Sequence, residues 1–367
     1  VAIAALASVS AFAQSSVTIY GQFDAGVYNI KDLNPGKSST VYGDGATFSP
    51  ILGFKGLEDI GGGLSAGFDF QTDVQSNNGG TNQNGLFRRQ ANGNVASKTL
   101  GELKFGITTN PVIATNSALM PTGANGNSVS TTTSTAVGYA DFYTKNAVTY
   151  TSPAIMGVTA QFQKGMSNDS ADSSNGSITA YSLAYANGPL EVRYAAQDRK
   201  PATAAIAGTA PNGSTAATAI AHYQKDSSVF GVKYTVGAWS AGLARMSSDG
   251  QIGYTYNSLT KNTSGSVKDR TANQAGVAYT TGAWIFGGTL TKAGESKLTT
   301  LQARYALSKR TNIVGTYGVA DNQDANTGFS PVAFNTGSAP STILDSSALP
   351  TKGTKASAMG VALTHSF

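Results

Sequence analysis

A two-residue alternation of apolar and polar side chains returns again and again along this chain, and it constrains the fold more than any other feature. Val17, Ile19, Phe23, Ala25 and Val27 alternate with Thr18, Tyr20, Gln22, Asp24 and Gly26. Leu64, Ala66, Phe68 and Phe70 alternate with Ser65, Gly67, Asp69 and Gln71, and Leu301, Ala303, Tyr305 and Leu307 with Gln302, Arg304 and Ala306. Side chains one residue apart on a strand point to opposite faces, so each segment has one apolar and one polar face. About sixteen such segments can be traced. The last holds Met359, Val361, Leu363, His365 and Phe367 on one face and Ala358, Gly360, Ala362, Thr364 and Ser366 on the other. Helical spacing sustained over three turns is not found.

The connectors alternate in length. Short ones (58–63, 98–101, 152–157, 187–189, 237–238, 282–283 and 308–310) alternate with long polar stretches at about 29–47, 75–86, 109–145, 165–177, 197–226, 247–272 and 321–354, with one short exception near 294–297. A sheet with short hairpins at one end and long ones at the other has two chemically different ends, as outer-membrane barrels do. Trp239 and Trp284 each follow a Gly-Ala turn, a position that suits an indole at a membrane interface.

Composition narrows the classes. Of 367 residues only 12% are charged, well below the roughly 25% of an ordinary soluble domain, and no apolar run of about 18 residues could form a spanning helix. The net charge of +5 is scattered singly, which argues against a nucleic-acid partner. There is no cysteine, and the two histidines, His222 and His365, give little material for a catalytic triad or a metal site, so neither enzyme chemistry, a cofactor nor a metal is expected. Residues 1–13, ending Ala11-Phe12-Ala13, read as the apolar core and cleavage site of a secretory signal without its positive start, leaving 14–367 as one domain. Apolar faces nearly free of charge and polar faces of Thr, Gln, Gly and Tyr predict an all-β, sixteen-stranded antiparallel transmembrane barrel, wide enough to hold water.

Several short stretches, in this order, carry a resemblance. Ser16-Val17-Thr18-Ile19-Tyr20-Gly21, Leu52-Gly53-Phe54-Lys55-Gly56, Glu58 to Leu64, Asn146 to Pro153 and Leu363-Thr364-His365-Ser366-Phe367 together resemble the general diffusion porins of Gram-negative bacteria, the betaproteobacterial type above all. The resemblance implies a homotrimer in outer-membrane lipid, passing small hydrophilic solutes and ions, with a third loop that folds into the pore. It also implies that the terminal strand, with Phe367 and His365, is read by the barrel-assembly machinery.

By alternation, Lys55, Arg89, Lys104, Lys145, Arg193, Lys233 and Arg304 face the lumen against Asp24, Asp69, Asp73 and Glu191, which predicts a mild anion preference. Tyr20 and Gln22 share the first strand's lumen face with Asp24, and Tyr143 joins the constriction. The resemblance matches Arg89 and Lys55 to pore-wall positions. The chain also departs from the porin pattern: Ile51 and Tyr143 stand where arginine is common, and the third connection carries no acid between Thr109 and Ala140. A less polarised eyelet is therefore expected. One alternative is a substrate-selective channel with an affinity site for an organic anion or a sugar, for which Tyr139, Phe142 and Tyr143 are the aromatic candidates. Another is an adhesion barrel acting through 197–226 and 321–354.

Overall fold

The structure is a computed structural model. It describes residues 16–32, 36–45, 48–81, 85–122, 142–168, 173–174, 176–200, 202–209, 215–222, 226–249, 270–323, 329 and 353–367. The signal expected at 1–13 lies outside these residues, as do Tyr139 and the stretch 123–141.

The strands are β1 Ser16–Lys31, β2 Ser38–Asp44, β3 Ile51–Gly61, β4 Leu64–Asp73, β5 Gln90–Ser97, β6 Gly101–Thr109, β7 Tyr143–Thr151, β8 Val158–Gly165, β9 Ile178–Asn187 and β10 Leu190–Arg199. They continue as β11 Ala202–Thr209, β12 Thr215–His222, β13 Asp226–Val236, β14 Trp239–Asp249, β15 Arg270–Thr281, β16 Trp284–Ala293, β17 Ser296–Ala306, β18 Thr311–Asn322 and β19 Thr354–Ser366. One helix, α1 Pro111–Leu119, follows β6.

Every pairing is antiparallel, between chain neighbours except that β10 pairs with β13, and β1 closes the sheet. One edge of β1 pairs with β19, from Gln22↔Ser366 to Lys31↔Ser357. Its other edge pairs with β3 over Ser16–Gln22 and with β2 over Ala25–Lys31. β2 and β3 are thus two halves of one stave, parted by an insertion at 45–50, and β11–β12 is a separate hairpin in the connection after β10. The result is the closed sixteen-stave antiparallel barrel that the alternation predicts. Closure leaves no unpaired sheet edge, which a lipid-facing sheet cannot tolerate. The terminal Phe367 completes the seam: its amide donates to the Gly21 carbonyl and its own carbonyl accepts from the Gly21 amide, both at 3.1 Å.

The outward face is the apolar one. Val17, Ile19, Val27, Leu243, Leu301, Met359 and Val361 are all exposed on it. At the short-turn end Trp239 lies 4.6 Å from the Tyr279 ring and Trp284 4.7 Å from the Tyr305 ring, the aromatic positions expected of a membrane interface.

The inward face differs from the sequence-based picture in one sector. On β10 and β13–β18, near the long-loop end, it is apolar: Ala195, Val229, Ala244, Met246, Ala272, Ala293, Leu298 and Ala320 are buried there. They are buried by Val112, Ile113, Leu119 and Met120 from α1 and its end, and by Phe329 from the connection between β18 and β19. The barrel therefore contains a core on one side of its interior, because two inter-strand connections fold into it.

Candidate functional site: the inner wall and the helix laid on it

The helix is short, and its signals lie at its ends. Asn110 is the N-cap, its Oδ1 accepting from the Val112 amide at 2.9 Å, and Pro111 begins the first turn. Met120 is extended and Pro121 follows, so the helix stops after nine residues. The cap is also a clamp. Asn110 Nδ2 donates to Gln197 Oε1 at 2.6 Å, and the bulge-side Thr144 and Gln163 continue the chain of bonds across the buried inner wall. Gln163 Nε2 in turn donates to Thr108 Oγ1 at 2.8 Å. A cap whose own amide is held by the wall fixes where the helix starts.

At the other end the wall is thinned to receive the chain. Gly231, Gly242, Gly276 and Gly287 are inward on four adjacent strands, β13 to β16. A Cβ on Gly231 would stand 2.5 Å from Leu119 Cδ1, and one on Gly276 2.9 Å from Pro121 Cδ. On Gly242 it would meet the Leu119 carbonyl oxygen, and on Gly287 the Thr122 methyl. Leu119 to Thr122 thus lie in a glycine-floored seat. Two of the expected pore residues hold them there. Lys233 Nζ donates to the Ala118 carbonyl at 2.7 Å, a favourable place for a cation because the last helical carbonyls carry partial negative charge. Arg304 Nη2 reaches the Thr122 carbonyl at 3.4 Å.

Lys233 is shared with Glu191 at 2.7 Å, and Arg193 is paired with the same carboxylate. Lys104 pairs with Glu102 at 3.1 Å, on the same inward face near the short-turn end. Glu102 is thus a further inward carboxylate, two residues from Lys104 on the same strand.

Across the lumen, on β1 to β7, the charges cluster differently. Cross-strand register puts Thr18, Lys55 and Asp69 in one inward row, and Tyr20, Gly53 and Gln71 in the next. Tyr20 donates to Asp69 Oδ1 at 2.5 Å and accepts from Gln71 Nε2 at 3.2 Å, while Lys55 Nζ stands 5.3 Å from the Tyr20 ring centre. Gln22 is inward opposite Ile51, and Ile51 is opposite Asp73. Asp73 is fully buried and pairs with two guanidiniums at once, Arg89 at 2.8 Å and Arg88. Both guanidinium carbons lie near the Tyr143 ring, at 5.5 Å for Arg89 and 5.7 Å for Arg88. Arg89 is also 5.9 Å from the Phe48 ring, and the Phe48 amide donates to the buried Asp24 carboxylate at 2.7 Å. The insertion that splits the second stave thus supplies an aromatic wall to the arginine pair.

Arg88 and Phe48 were not legible by alternation, since neither is in a strand. The tandem Arg88-Arg89 just before β5 was the available signal: outside the strand both side chains can turn the same way. Lys145 is placed differently from its alternation. Asn146 has φ 50° and the β6–β7 register shifts beside it, so Thr144 and Ala147 are both buried and Lys145 is left exposed. His365 is outward, with Nδ1 2.9 Å from Thr311 Oγ1, and Phe367 packs over Gly21 at the seam.

Comparison with known proteins agrees with this architecture. The family described as Gram-negative porin matches residues 1–325. The chain is 32% identical over 213 residues to an outer membrane porin protein of Bordetella pertussis, covering 50% of this chain and 54% of that protein. It is 29% identical over 218 residues to outer membrane porin protein 32 of Delftia acidovorans, covering 56% and 61%. The matches therefore span a little over half the length of these relatives. In structure it is similar to the anion-selective porin from Comamonas acidovorans, with TM-score 0.73 and 20% identity over 96% of this chain and all of that one. It is also similar to the trimer form of OmpT from Vibrio cholerae, with TM-score 0.60 and 14% identity over 96% and 99%. The chain belongs to the family of Gram-negative porins, multi-strand β-barrels of the outer membrane.

Proposed function

We propose that the protein is a water-filled channel for passive diffusion of small hydrophilic solutes and ions, with a mild preference for anions. The observation that supports this most directly is the Arg88–Arg89 pair on the inner wall. Asp73 offsets one of its two positive charges and leaves a local positive excess beside Tyr143, while Lys55 on the same side of the lumen is matched by Asp69 in its own row. Charge on a wetted wall attracts counter-ions and repels co-ions, so a local basic excess at the arginine pair favours anions mildly. The likeness to an anion-selective porin points the same way. α1 and the residues after it, lying along the opposite inner wall, narrow the path to these charges. By likeness to the trimeric OmpT we propose a homotrimer.

Planar-bilayer recording tests the reading. Three equal conductance steps per insertion and a reversal potential of anion sign under a salt gradient are expected. Absence of conductance would refute the channel, and a cation-sign potential would refute the selectivity. A second reading has one observation in its favour. Tyr143, with the two guanidiniums 5.7 Å and 5.5 Å from its ring centre, marks a place where the carboxylate of an organic anion could be seated. Saturable block of the current by one such class of solute would distinguish an affinity channel from simple diffusion.

A further inference from the structure

The strands β11 and β12 form a sheet of their own. Among the described residues they pair with each other and with no strand of the barrel. Each has eight residues, and the pairs from Ala202↔His222 to Thr209↔Thr215 run without a bulge. The ribbon is therefore about 27 Å long, and each outer edge presents about four N–H and four C=O groups with no described strand beside them. A two-stranded hairpin standing alone is marginally stable in water, and a third strand supplies what it lacks.

Edges of this kind are normally guarded by charge, by proline or by a bulge. Neither strand is guarded: no Asp, Glu, Lys, Arg or Pro occurs within 202–209 or 215–222. In the chain, Lys200 and Pro201 come just before β11 and Lys225 just after β12. The sequences of the two strands indicate what pairs with such an edge. Ala202-Thr203-Ala204-Ala205-Ile206-Ala207 and Ala216-Ala217-Thr218-Ala219-Ile220-Ala221 agree at four of six positions when read in the same direction. β11 is thus a close repeat of β12, and the kind of strand that β12 accepts on its inner edge suits its outer edge equally well. The ready source of that strand is another copy of this chain. β11 leads away from the end of β10 and β12 returns towards β13, and barrels in one membrane share one orientation. β12 of one copy and β11 of the next therefore run in opposite senses, as an antiparallel ladder requires.

We propose that the β11–β12 ribbon is a contact between copies, the outer edge of β12 pairing with the outer edge of β11 of a neighbouring barrel in the same membrane. Main-chain hydrogen bonds supply the attraction, and the absence of charge on either edge permits it. An eight-residue edge buries far less than the roughly 1,200 Å² of a stable interface, so the contact acts between barrels already held in the membrane plane and not between molecules in dilute detergent. The proposal rests on the barrel's place in the outer membrane but not on what the channel conducts.

The chain has no cysteine, so introduced thiols can be read in outer membranes without background. A205C is co-expressed in turn with A217C, A219C and A221C, which covers the register of the hairpin, Ala205↔Ala219, and shifts of two residues either way. In an array that alternates β11 and β12, any one residue recurs every second strand, about 9.6 Å apart and beyond disulfide reach, whereas opposite residues on adjacent strands are within it. Mild oxidation is therefore expected to give a linked dimer in at least one mixture, about tenfold above that of each single variant. Heat-modifiable mobility checks that every variant assembles. I206K/I220K, which places a charge on both strands, is expected to reduce the linked dimer about tenfold when built into the same cysteine chains. Planar-bilayer conductance of I206K/I220K should equal that of the parent, so loss of the link with retained current separates this contact from the channel reading. The proposal is overturned if no mixture exceeds the single variants, which would leave these edges free or held by a foreign strand. It is also overturned if a single variant alone links as well as the mixtures do, since random collision then accounts for the product, or if I206K/I220K leaves the linked dimer unchanged.

Discussion

Replacing Gly242 with leucine should lift the end of α1 off its seat and reduce the single-channel current. The wall at this point cannot yield, since Gly242 is paired with Lys233 on one side and Gly276 on the other. A Cβ there meets the Leu119 carbonyl and stands 3.1 Å and 3.3 Å from Pro121 Cδ and Cγ. The remaining branch has no space short of displacing Leu119 to Pro121. Overpacking of this kind costs about 1–3 kcal/mol, and the closed hydrogen-bonded barrel leaves the helix end as the part that moves. At about 2 kcal/mol the seated state loses about thirtyfold in weight relative to unseated ones. The displaced segment can go only towards the pore axis, so the conductance step should fall and open-channel noise should rise. Heat-modifiable mobility on a gel checks that the barrel has assembled, and planar-bilayer recording gives the step and the noise. Gly315→Ala is the control, because a Cβ there has its nearest neighbour at 3.8 Å. If assembled Gly242→Leu channels show the parent's step and noise, the seat does not position the helix and the reasoning fails.

Other perturbations separate the two sides of the lumen. Arg88→Gln and Arg89→Gln should each shift the reversal potential towards cations, whereas Lys145→Gln, whose side chain is exposed beside the bulge, should leave it unchanged; equal effects at Lys145 would sink the assignment. Asp73→Asn leaves two guanidiniums without their shared carboxylate, which should destabilise the site by about 3–5 kcal/mol and be seen as a lower thermal midpoint of the folded barrel. Asn110→Ala removes both the cap and the Gln197 bond, and a loss of about 1–2 kcal/mol in helix docking should appear as added open-channel noise. Deleting Phe367 removes both seam hydrogen bonds to Gly21 and should lower the yield of assembled barrel much more than the conductance of the barrels that form.

The barrel was legible in the sequence because its rule is local. Every strand repeats it, and a period of two survives any error in where a strand ends. The terminal strand is a case in point: Met359, Val361 and Leu363 are exposed outward and Ala358 and Ala362 buried inward, as alternation requires. What alternation could not see were departures from the strand. Lys145 is turned by one residue of positive φ. Arg88 and Phe48 lie between strands, where period two has no meaning. The helix is too short for a 3.6-residue pattern to build up, although Asn110-Pro111 at one end and Pro121 at the other are start and stop signals that the sequence does contain. The small and apolar inward residues of β13–β18 have no signature of their own, because their partners on α1 are 100 and more residues away in chain order.

Those inward residues change how the pore's charge should be read. A count of basic residues by alternation treats Lys233, Arg193 and Arg304 as equal to Lys55 and Arg89. The structure gives them different partners. Lys233 is spent on the Ala118 carbonyl and Glu191, and Arg304 on the Thr122 carbonyl, so these two act first as anchors of the inserted chain, while Arg193 is paired with the same Glu191 carboxylate. On the facing wall Asp73 is shared by two guanidiniums, which leaves an excess positive charge beside Tyr143. The lumen thus has a side that carries the helix and a side that carries the field, and in the proposed channel solute passes between them. Neutralising an anchor should therefore change current noise before it changes selectivity, and neutralising Arg88 or Arg89 should do the reverse. A matched pair, Lys233→Met and Arg89→Gln, recorded under the same salt gradient, distinguishes this division from a pore in which all basic side chains contribute alike. Equal shifts of reversal potential in the two variants would show that no such division exists.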